Sequence, residues 1–172
     1  MNKKIKYSIF LIVIVYFACS IILGLTLNVT QIKGSNLIQP QSAVEIILNN
    51  LKANLFLSSG LISLGLGTFI YLFLNGGIIG VSVSQAMDRG VEFNEVILYL
   101  LPHGILEIPA MIISSLIGLQ FVEYLLTYTF SDVNFRLLFK HFIKVLLTRI
   151  FLVIIFTVLA GIIEWFITIK FI

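Results

Sequence analysis

Two long stretches without a single charge limit what this chain can fold into. Tyr7 to Ile32 is 26 residues, and Ala53 to Met87 is 35 residues, without Asp, Glu, Lys or Arg. A backbone inside lipid has no water to bond, so it must satisfy its own N–H and C=O groups, which leaves helices or a closed barrel. The runs are continuously apolar and do not alternate, and that selects helices. Only 11% of the chain is charged and 59% is hydrophobic, which excludes a soluble globule of 172 residues.

Residues 1–172 are expected to form one integral membrane domain, because no polar stretch exceeds residues 28–42 and none is long enough for a separate catalytic module. The net charge of +3 is small and its Lys and Arg are scattered. They read as orientation signals and headgroup contacts, not as a nucleic-acid surface. A lone Cys19 lies in the first apolar run and is expected to be a buried structural thiol.

Lys3, Lys4 and Lys6 precede a first span over about residues 8–28, which places the N-terminus in the cytoplasm. Ser42 and Glu45 form a Ser-x-x-Glu capping box, predicting a short amphipathic helix on the outer surface. The 35-residue run from Ala53 would reach about 52 Å as one helix, well beyond a hydrocarbon core of about 30 Å. Asn75, Gly76 and Gly77 are the expected weak point, giving a span over residues 54–74 with a continuation to 87.

Residues 94–121 are apolar apart from Glu95, His103, Glu107 and Gln120, and Pro102, Gly104 and Pro109 interrupt them, which predicts a broken or re-entrant helix kinked at those positions. Arg136, Lys140 and Lys144 recur every four residues among Phe135, Phe139 and Phe142, so residues 133–147 read as a basic helix on an anionic lipid surface. Residues 150–169 form the final span, with one charge at Glu164.

Charge asymmetry chooses between topologies for the broken segment. If it crosses, five Lys and Arg lie inside and six outside; if it re-enters and returns, eight lie inside and three outside. The positive-inside rule favours re-entry. The expected fold is therefore all-α and polytopic, with three full spans plus a broken or re-entrant helical hairpin and a cytoplasmic N-terminus.

Ionisable groups at membrane depth are costly and normally face a bundle interior or pair with a partner. His103 and Glu107 are four apart and share a helix face. With Asn75 and Glu164 they are the candidate polar core, serving either a proton or substrate path or the architecture of the kink. His103 and Glu107 supply two ligands where zinc takes three or four, so no metal and no cofactor is expected. No Ser or Cys has a neighbouring base and no His-Glu-x-x-His occurs, so no catalytic residue is assigned. Three stripes of small residues, Ser59, Ser63 and Gly67, then Gly76, Gly80 and Ser84, then Ala110, Ser114 and Gly118, suit close helix contacts within the bundle or with a partner.

Ile47-Leu48-Asn49-Asn50-Leu51, Gly65-Leu66-Gly67-Thr68, Leu74-Asn75-Gly76 with Gly80, Pro102-His103-Gly104 with Glu107-Ile108-Pro109-Ala110, and Ile163-Glu164 with Phe166 and Thr168 follow one another in order. From about Val44 to Thr168 the chain resembles the broad stage II sporulation protein M family. It departs from that pattern at Trp165, where a small residue is common, and at Ile169, where Pro is common. The resemblance implies a multi-pass bacterial or archaeal membrane protein that is not a known enzyme. One member of the family scaffolds peptidoglycan-remodelling partners. Other short members accompany circular bacteriocins and are implicated in their maturation, export or immunity.

The function expected from residues and resemblance together is a non-enzymatic accessory protein of the bacterial cell membrane. Its partners would be the lipid bilayer, an ABC-type exporter or peptidoglycan-remodelling proteins, a second copy of the chain, or a hydrophobic peptide. The alternative is a small ion-coupled transporter or permease that uses the polar residues of the broken helix.

Overall fold

The structure is a computed structural model and describes residues 3–27 and 40–168. The polar stretch 28–39 and residues 169–172, Lys170 included, lie outside the described residues. Among those described there are six α-helices and no strand: α1 Lys3–Thr26, α2 Ala43–Ser58, α3 Leu66–Asp88, α4 Phe93–Gly118, α5 Gln120–Phe130 and α6 Phe135–Ile163. A 3-10 turn, Ser59–Leu61, follows α2, and a π turn, Glu164–Thr168, follows α6.

Helix α1 lies along α3, α6 lies along α4, and α2 fills the space among α3, α4 and α6. Ile9, Val13 and Phe17 of α1 meet Leu57, Leu72, Met111 and Leu119 in the main apolar core. The α1–α3 contact is close because its glycines have no side chain. Gly76 rests on Ser20 and Phe17, Gly80 on the backbone of Ile21 and Leu25, and Gly24 on the carbonyl of Gly77. Helices in lipid gain no hydrophobic drive from meeting, so this backbone approach is what holds the pair.

Among the described residues, three helices are each long and apolar enough to cross a bilayer, Lys3–Thr26, Leu66–Asp88 and Phe135–Phe166, and the bent pair Gly104–Gly118 and Gln120–Phe130 is long and apolar enough when taken together. Their Leu, Ile and Phe side chains face outward over much of their length, as Leu11, Ile22, Ile78 and Phe151 do. An apolar exterior around a core that holds Asn, Gln, Glu and Arg is the arrangement a lipid environment requires. Cys19 is exposed on α1 and not buried as expected, because the buried face of that helix is taken by Val13, Phe17, Ser20 and Gly24.

Three boundaries differ from the expectations. The chain reverses at residues 59–65 and not at Asn75: Leu64 has φ of 53° and Gly65 has φ of 93°, and the Gly65 N–H donates to Gly60 O at 2.7 Å. The Thr68 hydroxyl donates to Leu57 O at 2.7 Å, pinning the two sides of the reversal together. The Asn75 amide donates to Tyr71 O at 2.7 Å within its own turn, so α3 continues through the glycines.

Helix α2 is capped by Ser42, whose Oγ accepts from the Glu45 N–H at 3.2 Å, while the Glu45 carboxylate accepts from the Gln41 N–H at 2.8 Å. It packs on the bundle through Ile46, Asn54 and Leu57, while Val44, Leu48 and Leu55 are exposed. Helix α4 passes through Pro102 and Pro109, and the bend falls at Leu119, where α5 leaves at 48°. Gly118, just before that bend, packs on Leu57 O and the Thr68 hydroxyl. A proline removes one backbone donor and membrane helices tolerate that loss, whereas the reversal at residues 57–68 occupies the space a straight continuation would need.

The basic helix and the last span are one element. Asn134 Oδ1 accepts from the Arg136 N–H at 2.9 Å and the Leu137 N–H at 3.4 Å, and α6 then runs unbroken to Ile163. No Gly or Pro occurs in α6 before Gly161.

Candidate functional site

Two buried polar networks join the last helix to the rest of the bundle. In the first, the Asn54 side chain on α2 donates to the Thr157 hydroxyl on α6 at 3.0 Å, and its Oδ1 accepts from the Ser114 hydroxyl on α4 at 2.9 Å. The Ser58 hydroxyl donates to Asn54 O at 2.9 Å and approaches Ser114 O at 3.3 Å. Asn54, Ser114 and Thr157 are all buried. One amide thus spans three helices with both its donor and its acceptor used.

In the second network, Arg149 on α6 turns into the angle between α4 and α5. Its Nη1 donates to Leu116 O and to Gln120 Oε1, both at 2.9 Å, and its Nη2 lies 3.3 Å from Glu123 Oε2. Gln120 in turn donates from Nε2 to Phe142 O on α6 at 2.8 Å. The guanidinium fork suits this site, since its planar donors reach a carbonyl, an amide and a carboxylate together. The other Glu123 oxygen, the Tyr124 hydroxyl and the Thr127 hydroxyl are buried without a hydrogen-bond partner.

The four residues expected to form the polar core do not all meet. Asn75 is half-buried on α3 and is bonded within its own helix. The carboxyl groups of Glu107 on α4 and Glu164 at the start of the π turn lie within electrostatic reach of each other, and both are half-buried. Glu164 also lines a cleft with the cap Ser42 and with Glu45, Asn50 and Lys52 of α2, and the Asn50 amide nitrogen is buried without a partner. His103 lies one turn before Glu107 on α4, and its side chain, like that of Pro102, is outside the described part of the structure.

Gly104 faces open space with only the tip of Ile108 nearby, and Pro109 is half-buried within α4. Arg136, Lys140 and Lys144 are exposed along α6, as a headgroup-facing stripe requires. The small-residue stripes pack inside the chain. Gly76 and Gly80 receive α1, while Ser114 and Gly118 receive α2 and the turn after it; Ser63 Oγ accepts from the Gly67 N–H at 2.9 Å. Among the described residues, no three His, Cys, Asp or Glu side chains gather as metal ligands would.

Arg149, Glu123, Gln120 and Asn54 were missed as site residues in the sequence. One signal was available. Arg136, Lys140 and Lys144 advance by four, but Arg149 comes five later, so it points away from the basic stripe by about 140° at 100° per residue. Gln120 and Glu123 stand three apart on a matching face of the preceding helix.

The family model for stage II sporulation protein M matches residues 8–169. An uncharacterized protein of Methanocaldococcus jannaschii is 36% identical over 125 residues, covering 73% of this chain and 70% of that protein. No solved structure matches.

Proposed function

Since the chain belongs to the stage II sporulation protein M family, we propose that it works as a non-enzymatic accessory protein of the bacterial cell membrane, a scaffold that holds partners in position. The observation that carries this reading is how the buried polar groups are used. The Asn54 and Arg149 networks spend their donors and acceptors on other helices of the same chain, which makes a fixed frame. Neither the family's description nor the relative's gives a catalytic activity.

The concrete versions are a component in circular bacteriocin maturation, export or immunity, and a component in envelope remodelling. The bacteriocin role is the first of the two, because the sporulation member itself lacks the Pro-His-Gly-Glu core that this chain carries at Pro102, His103, Gly104 and Glu107. Neighbouring genes separate them: a short hydrophobic precursor beside an ATPase supports the bacteriocin role, and a peptidoglycan hydrolase supports the envelope role.

The half-buried carboxylates of Glu107 and Glu164, within electrostatic reach of each other, favour a second reading, a small ion-coupled transporter with those groups on the path. Purification from native membranes in mild detergent, followed by reconstitution in liposomes, tests the choice. The scaffold reading expects a co-purifying exporter or peptidoglycan-remodelling protein and no proton or cation flux. A flux that Glu107→Gln abolishes overturns it.

A further inference from the structure

We propose that the groove between α2 and α6 holds one acyl chain of an anionic phospholipid whose phosphate sits on Arg136 and Lys140. The groove has a volume of about 600 Å³ and is lined by Leu51 and Leu55 of α2, Ile62 of the reversal, and Leu146, Ile150 and Ile154 of α6. Leu55, Ile62, Ile150 and Ile154 are exposed along it. Its polar groups are already used. The Asn54 amide is bonded to Thr157 and Ser114, the Ser58 hydroxyl donates to Asn54 O, and the Ser59 hydroxyl donates to Phe56 O. Such a lining suits a ligand that makes no hydrogen bond there.

Shape sets the direction of entry. At one end α2 and α6 close on each other, where Gly161 receives Ile47 and, one turn earlier on α6, Thr157 receives the Asn54 amide. From that closed end the groove runs to Leu146, towards the N-terminal end of α6. A partner helix that spans the bilayer cannot stop at the closed end, whereas an acyl chain enters from the surface and ends inside.

Charge places the headgroup. Helix α6 has 29 residues and a length of about 43 Å, so about 13 Å of it stands outside a hydrocarbon core of about 30 Å. The N-terminal end is the one that stands out, since no charged residue occurs from Ile150 to Ile163. Leu146 then lies near the edge of the core, and Arg136 and Lys140 lie at headgroup depth. Arg136 precedes Ile154 by 18 residues, five full turns, and Lys140 is about 40° from that line, so both stand on the groove's side of α6. Lys144 is turned about 120° from Ile150. All three cations are exposed, and among the described residues none has a carboxylate partner. Two unanswered cations at the mouth of an apolar groove are complementary to a phosphate joined to an acyl chain, whether the chain serves as a scaffold or as a transporter.

Native mass spectrometry of the full chain in detergent tests this, with phosphatidylglycerol or phosphatidylcholine of the same acyl chains added. One phosphatidylglycerol is retained per chain, and phosphatidylcholine binds at least about fivefold more weakly. Arg136→Gln and Lys140→Gln each weaken phosphatidylglycerol about fivefold, while Lys144→Gln changes it less than about twofold. Equal losses at the three positions would mean a diffuse headgroup layer and overturn the proposal, as would equal binding of the two lipids. Ile150→Trp fills the groove and abolishes lipid retention with Arg136 and Lys140 intact; continued retention overturns the proposal. If that variant does not fold, Leu55→Trp on the opposite wall takes its place. A dimer or a co-purified partner that the same variant releases, with no lipid retained by the wild type, would identify a protein occupant and overturn it as well.

Discussion

Arg149 Nη2 stands 3.3 Å from Glu123 Oε2 across the α5–α6 contact, with 10% and 4% of the two side chains exposed. Breaking a buried pair from one side leaves a charge without compensation, at a cost of about 3–5 kcal/mol, whereas replacing both partners with apolar groups is near neutral. Arg149→Met therefore destabilises the protein strongly, and Arg149→Met with Glu123→Leu recovers most of the loss. Thermal unfolding in detergent, followed by the fluorescence of Trp165, the sole tryptophan, measures the pair. Equal losses in the single and double variants would show that the ion pair does not hold the helices.

The α1–α3 contact separates glycines that are needed from one that is not. A Cβ at Gly80 would strike the Ile21 and Leu25 backbone, and one at Gly24 the Gly77 carbonyl, but a Cβ at Gly77 meets nothing. Gly80→Ala and Gly24→Ala push rigid backbones apart, at about 1–3 kcal/mol each. Gly77→Ala is neutral or stabilising by up to about 1 kcal/mol, through helix propensity. Unfolding midpoints of the three variants check the order.

The all-helical class and the spans of α1 and α3 were legible because uncharged length reports lipid directly. Breaks were less so. Gly76 and Gly77 look like a hinge, but Gly76 serves a packing contact with Ser20, which lies 56 residues earlier in the chain on another helix. The true reversal uses Gly60 and Gly65 among serines that read as a small-residue stripe. Glu107 and Glu164 were legible as expensive charges, and their proximity required the fold. In the sequence Arg149 is indistinguishable from an orientation charge, because which side of α6 faces α5 depends on the bend at Leu119.

Carboxylates at Glu107 and Glu164 give a direct choice between frame and path. If they serve architecture, amides replace their hydrogen bonds, so Glu107→Gln with His103→Gln folds and keeps partner binding. A relay loses its function in the same variant while remaining folded. Co-purification of the partner, alongside the unfolding midpoint, reads both properties from one preparation.

Orientation rests on the excess of Lys and Arg on one side when α4 and α5 together re-enter, seven against three with the buried Arg149 left out. A reporter active only in the cytoplasm, fused after Ile172, is expected to be silent. Fused at Gly90, between α3 and α4, it is expected to be active. Activity at Ile172 would mean that the bent pair crosses the membrane.

Both polar networks close on α6, and α6 is the last of the described helices to leave the ribosome. The Asn54 amide nitrogen waits for Thr157, and Gln120 and Glu123 wait for Arg149. Until α6 enters the bilayer, the half-made chain carries an amide and a carboxylate in lipid that nothing yet answers. Synthesis order thus makes α6 the step that commits the chain to its final form.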